Sequence, residues 1–168
     1  MPISPYLERL RKRVGKTLLL VPSATAVIRD ERGRVLLARH GESGGWSTIG
    51  GAVEPNEPPA DAVVREVWEE TGLLVEPLRV LGVYGGPEFE VVYGNGDRVS
   101  YLTTAFACRV ARGEPRPDGV ETVELGWFAE PELSALGLPP WARLVLHDAF
   151  RDAPEVRFRA ASWRPPRA

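Results

Sequence analysis

Residues 51–73 constrain this chain most, because they join a glycine-containing loop to a helix that carries three carboxylates on one face. Apolar periodicity predicts the helix over residues 59–71, and Gly72 is typical of a helix C-terminus. Side chains at positions i, i+3 and i+4 share one face, and here they are Glu66, Glu69 and Glu70. A different, apolar face is predicted to pack on a sheet and consists of Ala60, Val63, Val64 and Val67.

Glutamates on a helix usually form a solvated surface, so the flanking residues decide the interpretation. Neighbouring carboxylates repel one another, whereas Mg²⁺ binds carboxylate oxygens and can bridge them to substrate phosphates. Arg65 stands next to Glu66 and four residues before Glu69, where it can hold the carboxylates by charge-assisted hydrogen bonds. The glycines at residues 50–51 let the backbone approach a ligand closely. Together these features favour a metal site that acts on phosphates.

The spacing within this stretch matches a known motif. It reads Gly51, five residues, Glu57, seven residues, Arg65–Glu66–Val67, one residue, Glu69–Glu70, one residue, Gly72–Leu73. This resembles the complete Nudix box, and the order of strands, loop and helix resembles the Nudix family more loosely over residues 25–136. The resemblance implies an α/β (α+β) fold, an α/β/α sandwich around a mixed β-sheet. It also implies a hydrolase that cleaves a diphosphate bond with Mg²⁺, or with Mn²⁺ in its place.

The resemblance also implies roles for individual residues. The expected metal ligands are the carbonyl of Gly50 and the side chains of Glu66, Glu69, Glu70 and Glu121. Glu66 would be a ligand or the general base, Arg65 would orient Glu66, and Glu57 would steady the loop. Glu121 is the candidate for a carboxylate from a later loop, because it precedes a strand-like stretch resembling that region of the family. Glu124 is the alternative.

One departure from the family lies just before the box. Many members read Trp-x-Leu-Pro-Gly-Gly, whereas residues 46–51 here read Trp-Ser-Thr-Ile-Gly-Gly. The missing proline should leave this loop less rigid. It removes no ligand, so it bears on the substrate subgroup and leaves the expectation of hydrolysis unchanged.

The expected substrate is a small nucleotide, namely a nucleoside diphosphate linked to a sugar or similar group, such as ADP-ribose. The first alternative is a nucleoside triphosphate, and the second is a Nudix module that binds ligands without catalysis. RNA ends are disfavoured, because the one basic cluster, residues 9–16, lies far from the box in sequence. A net charge of −2 offers no global basic field for DNA.

The length of 168 residues fits one domain over residues 1–168. We expect an N-terminal helix over residues 4–15 with a solvated basic face, and a C-terminal helix and tail over residues 140–168. A glycine-rich loop is expected over residues 41–51, and Asp30–Gly33 and Asn95–Gly96 are turn signals. The predicted strands cover residues 24–29, 34–39, 74–84, 89–93, 98–110 and 124–128.

Single residues give weaker indications. Cys108 is the lone cysteine, so an internal disulfide is excluded, and its side chain is predicted to be buried. Because no apolar run is long enough to cross a membrane, a cytoplasmic protein is expected. A homodimer is expected by similarity to enzymes of this type. His40 is predicted at the surface. Four aromatic residues are candidates for stacking on a base, although packing is the commoner role, namely Tyr84, Phe89, Tyr93 and Tyr101. Three tryptophans are expected in the core or an interface, namely Trp68, Trp127 and Trp141.

Overall fold

The computed structural model describes residues 4–151 and 153–165, which form three α-helices and eight strands. The helices are α1 (Pro5–Val14), α2 (Pro59–Thr71) and α3 (Pro140–Arg151). The strands are β1 (Leu19–Ile28), β2 (Val35–His40), β3 (Trp46–Ser47), β4 (Ile49–Ala52), β5 (Leu74–Tyr84), β6 (Glu90–Val92), β7 (Arg98–Arg112) and β8 (Thr122–Phe128). Short 3₁₀ turns occupy Pro87–Phe89 and Glu130–Ala135.

The strands form two sheets. The larger has the order β4-β1-β7-β5, with β6 paired to the N-terminal end of β7. Within it β1 and β7 are parallel, and the other pairs are antiparallel, so this sheet is mixed. The smaller sheet has the order β3-β2-β8 and is antiparallel.

Side-chain alternation along β1 and β2 separates two cores, because successive strand residues point to opposite faces. Ala26 of β1 and Leu36 of β2 pack with α2 on one side. Val27 of β1 and Leu37 of β2 pack with α3 on the other side. Helices therefore cover both faces of the strand layer, which confirms the expected α/β/α arrangement.

Helix α2 has the predicted bounds, and its two ends have simple physical causes. Pro59 occupies the first turn, where its missing N–H is not needed. Gly72 ends the helix in the left-handed conformation, with φ of 69°. The predicted apolar face is packed against the core, with Val63 and Val67 fully buried. This packing leaves the glutamate face on a cavity that Leu19 of β1 and Glu121 of the loop before β8 also line.

One strand boundary and one loop prediction differ clearly from the structure. β1 begins at Leu19 instead of residue 24, because its pairing with β7 starts at Leu19 whereas its pairing with β4 starts only at Ser23. The predicted glycine-rich loop contains β3 and the start of β4. Gly50 fits there because any Cβ at this position would collide with the backbone of Ala24 on β1.

The turn predicted after β1 forms, but the hairpin does not continue. The amide of Gly33 donates to the carbonyl of Asp30 at 3.0 Å, and one bridge joins Arg29 to Val35. Beyond that bridge β1 and β2 enter different sheets. In contrast, the Asn95–Gly96 signal is confirmed by the hairpin of β6 and β7.

Hydrogen bonds hold both ends of the described chain. Ser4 caps α1 by accepting the amide of Leu7 at 3.2 Å. Near the other end, the amide of Arg157 donates to the carbonyl of Leu81 at 2.8 Å, beside the edge of β5. The last part of the predicted tail, residues 166–168, lies outside the described residues.

Within the described chain, no helix is both long enough and apolar enough to cross a membrane.

Candidate active site

Arg65 lies at the centre of the carboxylate cluster. Its Nε and Nη2 donate to the two oxygens of Glu57 at 2.8 and 2.9 Å, a bidentate pair. Its Nη1 donates to Glu66 at 2.7 Å and to Glu69 at 3.1 Å, and Nη2 also donates to the carbonyl of Ala52 at 3.0 Å. These bonds raise the pKa of Arg65 above its ordinary value, the largest contribution coming from Glu57. One guanidinium thus joins the loop before α2 to the glutamate face of the helix.

Glu66 is enclosed although it is ionisable. Its side chain is only 12% exposed, and its carboxylate lies over Gly51, where an added Cβ would come within 2.5 Å of it. Burial raises the pKa of the Glu66 carboxyl, and the charge of Glu69 adds to this, whereas the hydrogen bond from Arg65 opposes it. A carboxyl with a raised pKa has greater proton affinity, as a general base needs.

Glu70 is the most buried carboxylate of the cluster, at 2% exposure. One oxygen accepts the amide of Gly50 at 3.2 Å, and the other accepts the hydroxyl of Thr122 at 2.9 Å. Burial raises the pKa of the Glu70 carboxyl to about 8, and the charge of Glu66 adds to this. The two hydrogen bonds oppose the shift, and they connect α2 to both sheets.

The two candidates for a distal carboxylate lie in different places. Glu121 lines the same cleft as Glu66, Glu69 and Glu70, and its pKa is raised by burial first and then by Glu66. Glu124 instead forms an ion pair at 2.7 Å with Arg39 on the neighbouring strand, and it does not line the cleft. The geometry therefore brings Glu121, and not Glu124, to the carboxylate face.

We call this space the acidic cleft. Its volume is about 640 Å³, within the usual range of ligand sites. Its outer wall is α1, through Ser4, Leu7 and Arg11. Arg11 fixes that wall by donating to the carbonyl of Arg98 at 2.7 Å. The cations predicted to form a solvated face are exposed and do not line the cleft, namely Arg9, Lys12 and Arg13 of α1 and Lys16 just after it.

A second cavity of about 700 Å³ adjoins the acidic cleft, and we call it the aromatic groove. Its aromatic lining consists of His40, Trp46, Phe89, Tyr93, Tyr101 and Trp141. Its polar side includes Ser23 and Thr103, whose hydroxyls lie 2.6 Å apart. Within the described chain, four side chains line both cavities, namely Glu42, Tyr93, Tyr101 and Glu121. A ligand that extended from one cavity into the other would pass these four.

Comparison with known proteins agrees with this geometry. The NUDIX domain family matches residues 19–149, which is most of the chain. The chain belongs to the Nudix hydrolase family. Such enzymes are pyrophosphatases that act on phosphorus-containing anhydrides, and they generally use divalent metal ions.

Three similar proteins illustrate the range of the family. A MutT-like protein of Streptomyces ambofaciens is 30% identical over 90% of this chain and 91% of its own length. A protein of Bacillus subtilis strain 168 described as a putative 8-oxo-dGTP diphosphatase is 29% identical over 73% of this chain and 75% of its own length. The crystal structure of an ADP-ribose pyrophosphatase from Streptococcus suis 89-1591 has a TM-score of 0.62 and 28% identity, covering 83% of this chain and 98% of that one.

The donor set of this Nudix hydrolase suits a hard divalent ion, because Glu66, Glu69, Glu70 and Glu121 all supply oxygen ligands to one cleft. Burial and mutual repulsion raise the pKa values of Glu66, Glu70 and Glu121, so a cation there would relieve unfavourable charge. Among the described residues, however, no three acidic, His or Cys side chains are close enough to hold an ion as they stand. Ion binding would therefore require these carboxylates to move closer together.

The structure locates four further residues that were singled out in the sequence. His40 was predicted at the surface, but it is half-buried in the aromatic groove, with Nε2 2.6 Å from the hydroxyl of Ser47. Trp68 is 53% exposed and is not a core residue. Tyr84 lines neither cavity, since its hydroxyl donates to Asp148 at 3.2 Å. Cys108 is buried, as predicted.

Two site features were missed in the sequence. Thr122 holds Glu70 from 52 residues away, and no local pattern reveals a contact across that separation. Thr48, in the departure from the family pattern, is 2% exposed and accepts the hydroxyl of Thr25 at 2.9 Å. That bond ties the segment without a proline to β1.

Proposed function

We propose that this Nudix hydrolase uses Mg²⁺ to cleave the diphosphate bond of a nucleoside diphosphate linked to another group, as in ADP-ribose or a nucleotide sugar. The observation that carries the proposal is the junction of the acidic cleft with the aromatic groove. A diphosphate requires charge compensation by an ion on the carboxylates, whereas a nucleoside requires flat apolar surfaces and a few hydroxyls. A substrate with bulky groups on both sides of its diphosphate suits two adjoining cavities.

In the proposed reaction, a water oxygen attacks one phosphorus, the bond from that phosphorus to the bridging oxygen breaks, and two phosphate monoesters form. Glu66 accepts the proton of the attacking water, for which its enclosed position and raised pKa are suited. Arg65 orients Glu66 and Glu69, and its bidentate bond to Glu57 keeps the guanidinium fixed. A divalent ion held by Glu66, Glu69, Glu70 and Glu121, with the Gly50 carbonyl as a further candidate ligand, would neutralise charge on the phosphates.

A second candidate substrate is a nucleoside triphosphate. It is favoured by the Bacillus subtilis relative described as a putative 8-oxo-dGTP diphosphatase. A triphosphate would place a single bulky group in the aromatic groove and only phosphates in the acidic cleft. A module without catalysis is disfavoured, since all four glutamates of the box are kept.

The test is a substrate panel with product analysis in Mg²⁺ and, separately, in Mn²⁺. ADP-ribose should give AMP and ribose 5-phosphate, and a nucleotide sugar should give the nucleoside monophosphate and a sugar phosphate. A kcat/KM for triphosphates at least about tenfold above that for ADP-ribose, with release of pyrophosphate, would favour the second candidate. Excess chelator should abolish turnover, and full activity in chelator would contradict the metal proposal.

The homodimer, the cytoplasmic location and the exclusion of DNA and RNA ends stay predictions. The placement of the exposed cations of α1 supports the exclusion of RNA ends, because those cations do not line the acidic cleft. Light scattering across micromolar concentrations measures the mass, and a clean monomer would contradict the dimer.

A further inference from the structure

Tyr93 and Tyr101 occupy the boundary between the two cavities. Their hydroxyl oxygens lie 2.5 Å apart, and both rings line the acidic cleft and the aromatic groove. The other two residues at this boundary, Glu42 and Glu121, are acidic. An ionised carboxylate cannot donate a hydrogen bond and repels a phosphate, whereas a phenol is a neutral donor. The tyrosine pair is therefore the part of the boundary suited to contact an anionic substrate directly.

Proton counting gives the pair a specific capacity. Two hydroxyls carry two protons, and a hydrogen bond between their oxygens uses one of them, so the other can be donated to a third oxygen. Burial raises the pKa of both phenols, and for Tyr101 the neighbouring Tyr93 adds to the effect. Both groups thus stay protonated at neutral pH. A donor whose neighbour also hydrogen-bonds is polarised and donates more strongly.

The backbone fixes where the pair points. Tyr101 belongs to β7, in register with Val21 of β1. Tyr93 follows β6, and its amide donates to the carbonyl of Asp97 at 2.9 Å across the hairpin. Arg11 of α1 holds that hairpin from outside, through the carbonyl of Arg98 and an ion pair at 3.6 Å with Asp97. The pair is therefore anchored before any ligand arrives, as preorganised binding groups must be.

We propose that the Tyr93–Tyr101 pair donates a hydrogen bond to a non-bridging phosphate oxygen where the diphosphate passes from the acidic cleft into the aromatic groove. This rests on the proposed function, in which the substrate extends into both cavities. It assigns the pair to substrate binding and to selection of diphosphates that span the boundary. The packing of two neighbouring rings alone would not require either hydroxyl.

The test compares Tyr93→Phe, Tyr101→Phe and the double variant, with Tyr84→Phe as the matched control. Tyr84 also hydrogen-bonds through its hydroxyl, to Asp148, but lines neither cavity. With ADP-ribose, Tyr93→Phe or Tyr101→Phe should lower kcat/KM by about 10- to 100-fold, the range for a lost hydrogen bond to a charged group. The kcat/KM of the double variant should be no lower than that of the less active single variant, because the two hydroxyls act as one unit. Tyr84→Phe should stay within about twofold of wild type.

A second measurement separates this inference from the proposed function. The probe is the ADP-ribose analogue in which CH₂ replaces the bridging oxygen, and its affinity is measured by calorimetry with Mg²⁺. If wild type binds the analogue but does not hydrolyse ADP-ribose, the proposed function is wrong, and the tyrosine pair is judged by affinity alone. Unchanged affinity in both single variants, losses that multiply in the double variant, or an equal loss in Tyr84→Phe would overturn the inference. Failure of wild type to bind the analogue would overturn both.

Discussion

The acidic cleft and the aromatic groove adjoin each other, but they differ in charge and in the origin of the side chains that give each its character. Three carboxylates of the cleft come from a single helix face, at residues 66, 69 and 70, and one arginine links two of them. The lining of the groove extends from Ser23 to Trp141 and is mostly neutral. The carboxylate face of the cleft is thus encoded within one short segment, which the whole family can share. The groove is assembled from distant segments and can change without altering the chemistry.

The two regions also differ in how their polar groups are satisfied. In the cleft, burial raises the pKa of Glu66 and of Glu70, so their ionised forms are held at a cost. In the groove, neutral hydroxyls pair with each other, as Ser23 does with Thr103. This contrast predicts that cleft substitutions change kcat, whereas groove substitutions change KM.

The largest expected effect tests the cleft at its centre. Glu66→Gln keeps size and shape but removes the base, so kcat should fall by at least about 10²-fold. The melting temperature should be equal or slightly higher, because repulsion among Glu66, Glu69 and Glu70 is relieved. Steady-state kinetics and thermal unfolding measure the two quantities. Near-normal turnover on the best substrate would show that this helix face is not the catalytic centre.

A second substitution locates the far boundary of the cleft. Glu121→Gln should lower kcat/KM by about tenfold or more, because a carboxylate that faces the cleft would no longer help to hold the ion. Glu124→Gln, the matched control, removes only an exposed ion pair with Arg39 and should leave kcat/KM unchanged. Metal titration of activity would show whether the Glu121 variant needs more Mg²⁺. The reverse ranking would assign the distal carboxylate to Glu124.

The groove is tested at Trp46, whose ring meets Phe128 edge-on with centroids 4.8 Å apart. Trp46→Leu keeps an apolar group there but removes the flat surface available to a base. Loss of about 1 kcal/mol of stacking should raise KM about fivefold, with kcat nearly unchanged. A fall in kcat with constant KM would mean that the groove takes part in the chemistry, and the contrast between the two cavities would fail.

The smallest expected effect is at Glu57, which supports the cleft only indirectly, through Arg65. Glu57→Gln should lower kcat less than tenfold and the melting temperature by about 2–5 °C, since one bidentate contact to Arg65 is weakened. The hydrogen bonds from Arg65 lower the pKa of Glu57 below its ordinary 4.5, so this stabilisation is complete above that value and is lost as pH falls. The difference in melting temperature between wild type and variant should therefore shrink as the pH falls below 4.5. A constant difference across pH would contradict this account.

Local sequence determined the core of the site. The bounds of α2, the end at Gly72 and the face shared by Glu66, Glu69 and Glu70 all follow from neighbours within a few residues. The N-cap at Ser4 is equally local. Such features are readable because helix geometry fixes which residues at i+3 and i+4 meet, whatever the rest of the chain does.

Tertiary structure decided what those residues face. The sequence left Glu121 and Glu124 as alternatives, and the register of β8 on β2 pairs Glu124 with Arg39 and leaves Glu121 to the cleft. Along the sequence, α1 lies far from the box, yet the parallel pairing of β1 with β7 brings α1 to the wall of the cleft. Strand order and long-range pairing depend on the sum of many weak contacts, so no short segment encodes them.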